Sequence, residues 1–236
     1  MSPVTPLVRP GRFFAERDVT VGHTLALLAL HVFALPLGVW AVGRVFQARI
    51  DGTVMVDNPS RPSEQFCETA PESMDADCDA PAEVERNIDA LLADAVGEFI
   101  GPVLIGIGIV IVLVAVALHA GARLFDGERG IATSLAVALW GLVPPLVSLV
   151  VGLGLLFVLI DPITVASQSD PSVLTERIRA DLAPLVRWQP LVTGATSLWS
   201  GLVWRAGLRH EQGLSNGAAT GTAGTVALIV WLFSLA

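Results

Sequence analysis

The chain has 236 residues, 53% of them hydrophobic and only 15% charged, a balance too apolar for an ordinary soluble surface. All 14 basic residues are arginine, against 22 acidic residues and a formal charge of -8, which gives no reason to expect nucleic-acid binding. A lysine-free, acid-rich chain suits a salt-loving, archaeal source, and a GC-rich genome that replaces lysine by arginine is the other reading.

The apolar residues fall in long runs between short polar stretches, which is the topography of a membrane protein. Residues 1–20 carry Arg9, Arg12 and Arg17 around Phe13 and Phe14. Two readings stand for them: an interfacial segment with its rings among lipid headgroups, or a plain tail supplying positive charge. Residues 21–43 form the first expected span, kinked at Pro36. That run is longer than a signal core and ends without a small-residue cleavage site, so it is expected to be retained. His23 and His31 are its polar groups and lie about 80° apart around a helix. Neutral histidines tolerated in a span are favoured over a proton path.

Residues 47–98 hold 13 acidic residues against three arginines. Pro59, Pro62, Pro71 and Pro81 argue against a long helix in the first part of this loop. From Ala82, the spacing of Val84, Ile88, Leu91 and Leu92 predicts a short amphipathic helix. Cys67 and Cys78 are the only cysteines, and an external loop would suit a disulfide between them. Two separate thiols are the other reading, and no nearby histidine supplies a metal set. Asp75, Asp77 and Asp79 lack the glycine and closing glutamate of a calcium loop and read as a solvated acidic face.

Residues 100–119 are the second expected span, followed by a turn with Arg123, Asp126, Glu128 and Arg129. Residues 131–160 would measure about 45 Å as one straight helix, against roughly 30 Å of hydrocarbon. Pro144 and Pro145 favour a single bent span there over a re-entrant hairpin. Residues 172–186 form a second amphipathic candidate, with Val173, Leu174, Ile178, Leu182 and Leu185 as its stripe, Asp170–Pro171 as its start and Pro184 as its end or bend. Residues 190–208 are the fourth expected span and 217–236 the fifth, joined by a turn with Arg209 and His210.

The expected fold is all-α: residues 1–236 as one polytopic membrane helix bundle with five transmembrane helices and one or two short amphipathic interfacial helices. With the N-terminus inside, Arg9, Arg12, Arg17, Arg123, Arg129, Arg205 and Arg209 fall in three short inner segments. The positive-inside preference therefore points to a cytoplasmic N-terminus, an extracytoplasmic acidic loop over 47–98 and an extracytoplasmic C-terminus. The expected location is the plasma membrane. No acidic or arginine side chain falls mid-span, and no phosphate loop, zinc motif or serine nucleophile signature is present. No catalytic residue, cofactor or metal is expected. Gly97, Gly101, Gly106, Gly108, Gly152 and Gly154 are expected to pack helices together.

Three stretches stand out: Pro10-Gly11-Arg12-Phe13-Phe14-Ala15-Glu16-Arg17, then Ala138-Leu139-Trp140-Gly141-Leu142-Val143-Pro144-Pro145-Leu146, and best of all residues 198–215, from Leu198-Trp199-Ser200-Gly201 to Gln212-Gly213-Leu214-Ser215. In this order they resemble the Yip domain family. The resemblance implies a five-span membrane protein of prokaryotic type, whose eukaryotic relatives interact with Rab-type GTPases. The long cysteine-bearing loop departs from the pattern. The leading expectation is a non-enzymatic membrane-organising scaffold or adaptor, with a small transporter or channel subunit and a lipid-binding membrane protein as alternatives. The expected partners are membrane lipid and a membrane-protein partner or second copy.

Overall fold

The computed structural model describes residues 5–17, 19–69, 78–166 and 171–235. Two short helices, α1 (Thr5–Val8) and α2 (Pro10–Glu16), precede the first long helix, α3 (Val21–Arg49). The Thr20 side chain accepts the His23 N–H and so satisfies one of the first-turn donors of α3. Pro36 lies inside α3, which continues beyond Gly43 through Arg44 and Gln47 to Arg49.

Strand β1 (Ile50–Asp57) follows directly, built on the β-favouring run Thr53-Val54-Met55-Val56. It pairs antiparallel with β2 (Glu83–Asn87) and parallel with β3 (Ile163–Val165), giving the order β2-β1-β3. Gly52 has φ +130°, and a Cβ there would overlap the Val165 carbonyl oxygen, so the close approach of β3 requires glycine. Ile50, Ile163 and Val165 bury against Ile88, with Phe46, Leu92 and Ile178 packed around them. Between β1 and β2, helix α4 (Glu64–Thr69) carries Cys67, which is disulfide-bonded to Cys78 with Cα atoms 5.6 Å apart.

The amphipathic helix expected from Ala82 is absent. Val84 and its neighbours pair with β1, while Ile88, Leu91 and Leu92 belong to the opening turns of α5 (Ile88–Leu124), a 37-residue helix that includes the second expected span. The apparent helical spacing came from a strand that runs straight into a helix. Asn87 caps α5 by accepting the Asp89 N–H at 2.7 Å.

The proline pair bends the third span without reversing it. Helix α6 (Ile131–Gly141) gives way to α7 (Val143–Leu159) at Leu142, whose φ −87° and ψ −1° keep the chain near helical geometry. Pro144 and Pro145 then occupy the first turn of α7, where a missing N–H costs little.

The second amphipathic candidate is likewise not a separate helix. Residues 172–186 and 190–208 both lie in α8 (Pro171–Glu211), with Pro184 and Pro190 inside it. Asp170, and the side chains of Val173 and Leu174, lie outside the described residues, as do Pro71, Asp75 and Asp77. The last helix is α9 (Asn216–Phe233).

Among the described residues, four helical stretches are long and apolar enough to cross a membrane, not the five expected: α3, α5, α6 with α7, and α9. α8 does not meet that description. Its charges Arg177, Arg179, Arg187, Arg205 and Arg209 and its hydroxyls at Thr193, Thr196, Ser197 and Ser200 dilute its apolar character, while Val203, Trp204 and Leu208 bury against protein. A helix packed against α2, α6, α7 and α9 is covered by protein on those faces and needs less hydropathy than one surrounded by lipid.

The bundle has two distinct ends. α3 and α6–α7 lead from the end holding Val19, Arg129 and Glu211 to the sheet, α5 and α8 lead back, and α9 sets out again from Ser215. Close approach is made by glycines other than those expected. A Cβ on Gly121 would overlap Thr222, one on Gly141 the Trp204 indole, and one on Gly207 the Val137 side chain. Gly97, Gly101, Gly106, Gly108, Gly152 and Gly154 would meet nothing within 4 Å, so they are not helix contacts within the chain.

Candidate functional site

The end of the bundle away from the sheet is organised by α8, whose last turn carries Glu211 into protein. Glu211 Oε1 accepts the Val19 N–H at 3.3 Å and Oε2 accepts Arg129 Nη1 at 2.8 Å. The next residue, Gln212, is also buried: its Oε1 accepts the Arg129 N–H at 3.0 Å and its Nε2 donates to Ser134 Oγ at 2.9 Å. Ser134 Oγ lies 3.3 Å from His119 Nδ1. Gly213, at φ +72°, then turns the chain and lets Leu214 bury. Buried polar groups of this kind persist because each finds a partner. The knot ties the approach to α3, the end of α5, the loop before α6, and α6 itself to one helix terminus.

The N-terminal segment is fastened beside this knot. Phe13 and Phe14 are 7% and 4% exposed and pack on Val203 and Ala206, with Phe13 edge-on to Trp140 at 5.0 Å. Trp199 Nε1 donates to the Leu7 carbonyl at 2.9 Å. The aromatic pair is therefore protein core, neither a lipid contact nor part of a plain tail. The arginines of the segment stay exposed, and Arg12, hydrogen-bonded and then charge-paired to Glu16, is held above its ordinary pKa.

The three stretches singled out in the sequence thus meet at one place. Phe13 touches Trp140, Gly141 leaves room for the Trp204 indole, and Trp204 Nε1 donates to the Ala138 carbonyl at 3.2 Å. The Yip1 domain matches residues 5–236. The chain belongs to the Yip family. Neither a curated protein nor a solved structure matches it.

In this multi-pass Yip protein the four arginines beyond the N-terminal segment that were expected on the inner side have separate tasks. Arg123 Nη1 donates to the Gly127 carbonyl, Arg129 pairs with Glu211, and Arg205 is held by Thr220 and Asn216. Arg209 is exposed one turn beyond Arg205. The two histidines of α3 do not share an environment. His23 is exposed beside Thr20, whereas His31 is 1% exposed and its Nδ1 donates to the Leu27 carbonyl at 2.7 Å. His31 Nε2 has no partner among the described residues.

Sequence reasoning missed Glu211, Gln212 and Ser134. The signal available was a glutamate and glutamine just after Arg209 and His210, at the end of the fourth apolar stretch. Among the described residues no group of three histidine, cysteine or acidic side chains stands close enough to hold a metal. Open-sided grooves on the flanks include those between α8 and α9, between α7 and α8, and between α3 and α5.

Proposed function

We propose that this Yip protein is a non-enzymatic scaffold of the plasma membrane, and that the end bearing Glu211 docks a second membrane component on its cytoplasmic side. The observation that carries this reading is the fastening of the N-terminal segment onto α8 by Phe13, Phe14 and Val19. It brings exposed Arg9, Arg12 and Arg17 to the end that also bears Arg123 and Arg209, a fixed basic surface on a rigid base. The positive-inside preference then sets this end in the cytoplasm, with the disulfide and the far end of α9 outside.

A small transporter or channel subunit is the second reading. It draws on the interrupted helix at Leu142 and on the unpartnered nitrogen of buried His31. Gentle crosslinking in native membranes, followed by purification and mass spectrometry, separates the two. The scaffold reading expects a stoichiometric protein partner that is lost when Arg9, Arg12 and Arg209 are replaced by glutamine. Self-association alone, with solute flux in vesicles, would overturn it in favour of transport.

A further inference from the structure

The groove between α8 and α9 encloses about 380 Å³, and its two ends differ in chemistry. Its floor is made of small buried residues, Gly201, Ala223 and Ala227, and its rims are the exposed leucines Leu198, Leu202 and Leu228. A Cβ on Gly201 would come 3.1 Å from that of Ala227, so the helices touch along the floor and leave a trough above it.

Arg205 stands at one end and Trp231 at the other. The guanidinium is anchored by Nε to Thr220 Oγ1 at 2.9 Å and by Nη2 to Asn216 Oδ1 at 3.3 Å. Both acceptors are neutral, so they orient the group without cancelling its charge. Arg209 projects from the same face of α8 one turn away. At the opposite end, Trp231 Nε1 donates to the Pro190 carbonyl at 3.1 Å, which fixes the indole as a wall. Asn216 and Thr220 lie at the start of α9, one of the helices apolar enough to span, so the arginine sits at a membrane boundary. From Thr220 to Trp231, α9 rises about 17 Å, slightly more than one leaflet of a hydrocarbon core about 30 Å thick.

We propose that this groove binds one hydrocarbon chain of an anionic phospholipid whose phosphate is held by Arg205 and Arg209. A planar guanidinium fixed at a boundary suits a phosphate oxygen pair, and a trough of small residues flanked by leucines suits an extended chain. The site shares Arg209 with the docking surface proposed above, but the groove and Arg205 lie outside that surface and the proposal does not rest on it.

Gly224 gives the test its cleanest variant, because it lines the groove and a Cβ added there meets nothing within 4 Å, so a leucine at this position adds bulk to the groove. The full chain is placed in nanodiscs with equal phosphatidylglycerol and phosphatidylcholine, released gently and weighed by native mass spectrometry. One retained phosphatidylglycerol per chain is expected, with retention falling about tenfold in Arg205→Gln and also in Gly224→Leu, the loss of a charge-assisted contact setting that scale for the first. An unchanged unfolding temperature in each variant shows that the bundle stays intact. Equal retention of the two lipids, or retention unaffected by both variants, overturns the proposal. Loss in Gly224→Leu alone overturns the headgroup assignment, and a co-purified protein released by that variant overturns the lipid occupant.

Discussion

Glu211, with a side chain only 2% exposed, accepts a 2.8 Å hydrogen bond from Arg129, whose side chain is 47% exposed. The pair joins the buried terminus of α8 to a loop that reaches solvent, so its Coulombic part is screened on one side. Glu211→Gln keeps an oxygen for the Val19 N–H and removes the charge facing Arg129. A loss of about 1–2 kcal/mol is expected, read as a lower unfolding temperature in mild detergent. Glu211→Ala should lose more, because the Val19 N–H then loses this acceptor and the Arg129 Nη1 contact with Glu211 is removed as well. Identical unfolding of wild type and Glu211→Gln would mean that the pair contributes nothing.

Phe13 and Phe14 fasten the N-terminal segment through buried rings, and Arg9, Arg12 and Arg17 around them are exposed to a protease. Replacing both rings by alanine should undock the segment, since truncating one buried phenylalanine costs about 3–5 kcal/mol. Trypsin cleavage after Arg12 and Arg17 should then accelerate by about tenfold or more, while Arg9 is shielded by Pro10 and the remaining bundle unfolds near its original temperature. Unchanged cleavage would place the segment's attachment elsewhere.

Gly141 and Gly152 offer a paired comparison within one bent span. Gly141→Ala drives a methyl group into the Trp204 indole and should cost about 1–3 kcal/mol, as overpacking does. Gly152→Ala meets open space and should be neutral or favourable by up to about 1 kcal/mol from helix propensity. Thermal unfolding of the two variants side by side checks the ranking, and equal effects would contradict the close approach at Trp204.

The Cys67–Cys78 bridge closes a short loop between β1 and β2. Thiol alkylation of the unfolded chain should add two labels after reduction and none before it. A Cys67→Ser, Cys78→Ser double variant should lose about 2–3 kcal/mol in the chain-entropy account of a loop this long. The loss should appear as faster backbone hydrogen exchange in β1 and β2, with the exchange around Glu211 unaltered. Labelling before reduction would show free thiols.

Legibility in the sequence followed the range of the interaction. The long apolar runs, the bend at Pro144–Pro145 and the family resemblance are carried by composition and by neighbours a few residues apart, so they could be read before any fold was known. The cysteine pairing needed only one inference beyond that, a shared loop. The strands were readable in part, because Thr53-Val54-Met55-Val56 has β-favouring residues, yet the partners of β1 lie about 30 and 110 residues further on, a separation that local propensity does not see. Helical spacing across Val84 and Ile88 misled for the same reason, since pairing with β1 overrode it.

Hydropathy assigned residues 190–208 to lipid, but contacts with four other helices decide what surrounds them. Phe13 and Phe14 were ambiguous as a local pair because an aromatic ring fits a headgroup region and a protein core equally well, and only Val203, Ala206 and Trp140 choose between the two. The packing glycines were misplaced because a stripe of small residues permits close approach without specifying a neighbour. By itself the sequence determined a bundle of membrane-length apolar helices, a consequence of the high cost of exposing backbone and charge to hydrocarbon. Only the tertiary structure decided that Glu211, Gln212 and Ser134 form its polar knot, because a buried polar group is sustained by partners that lie far away in the chain.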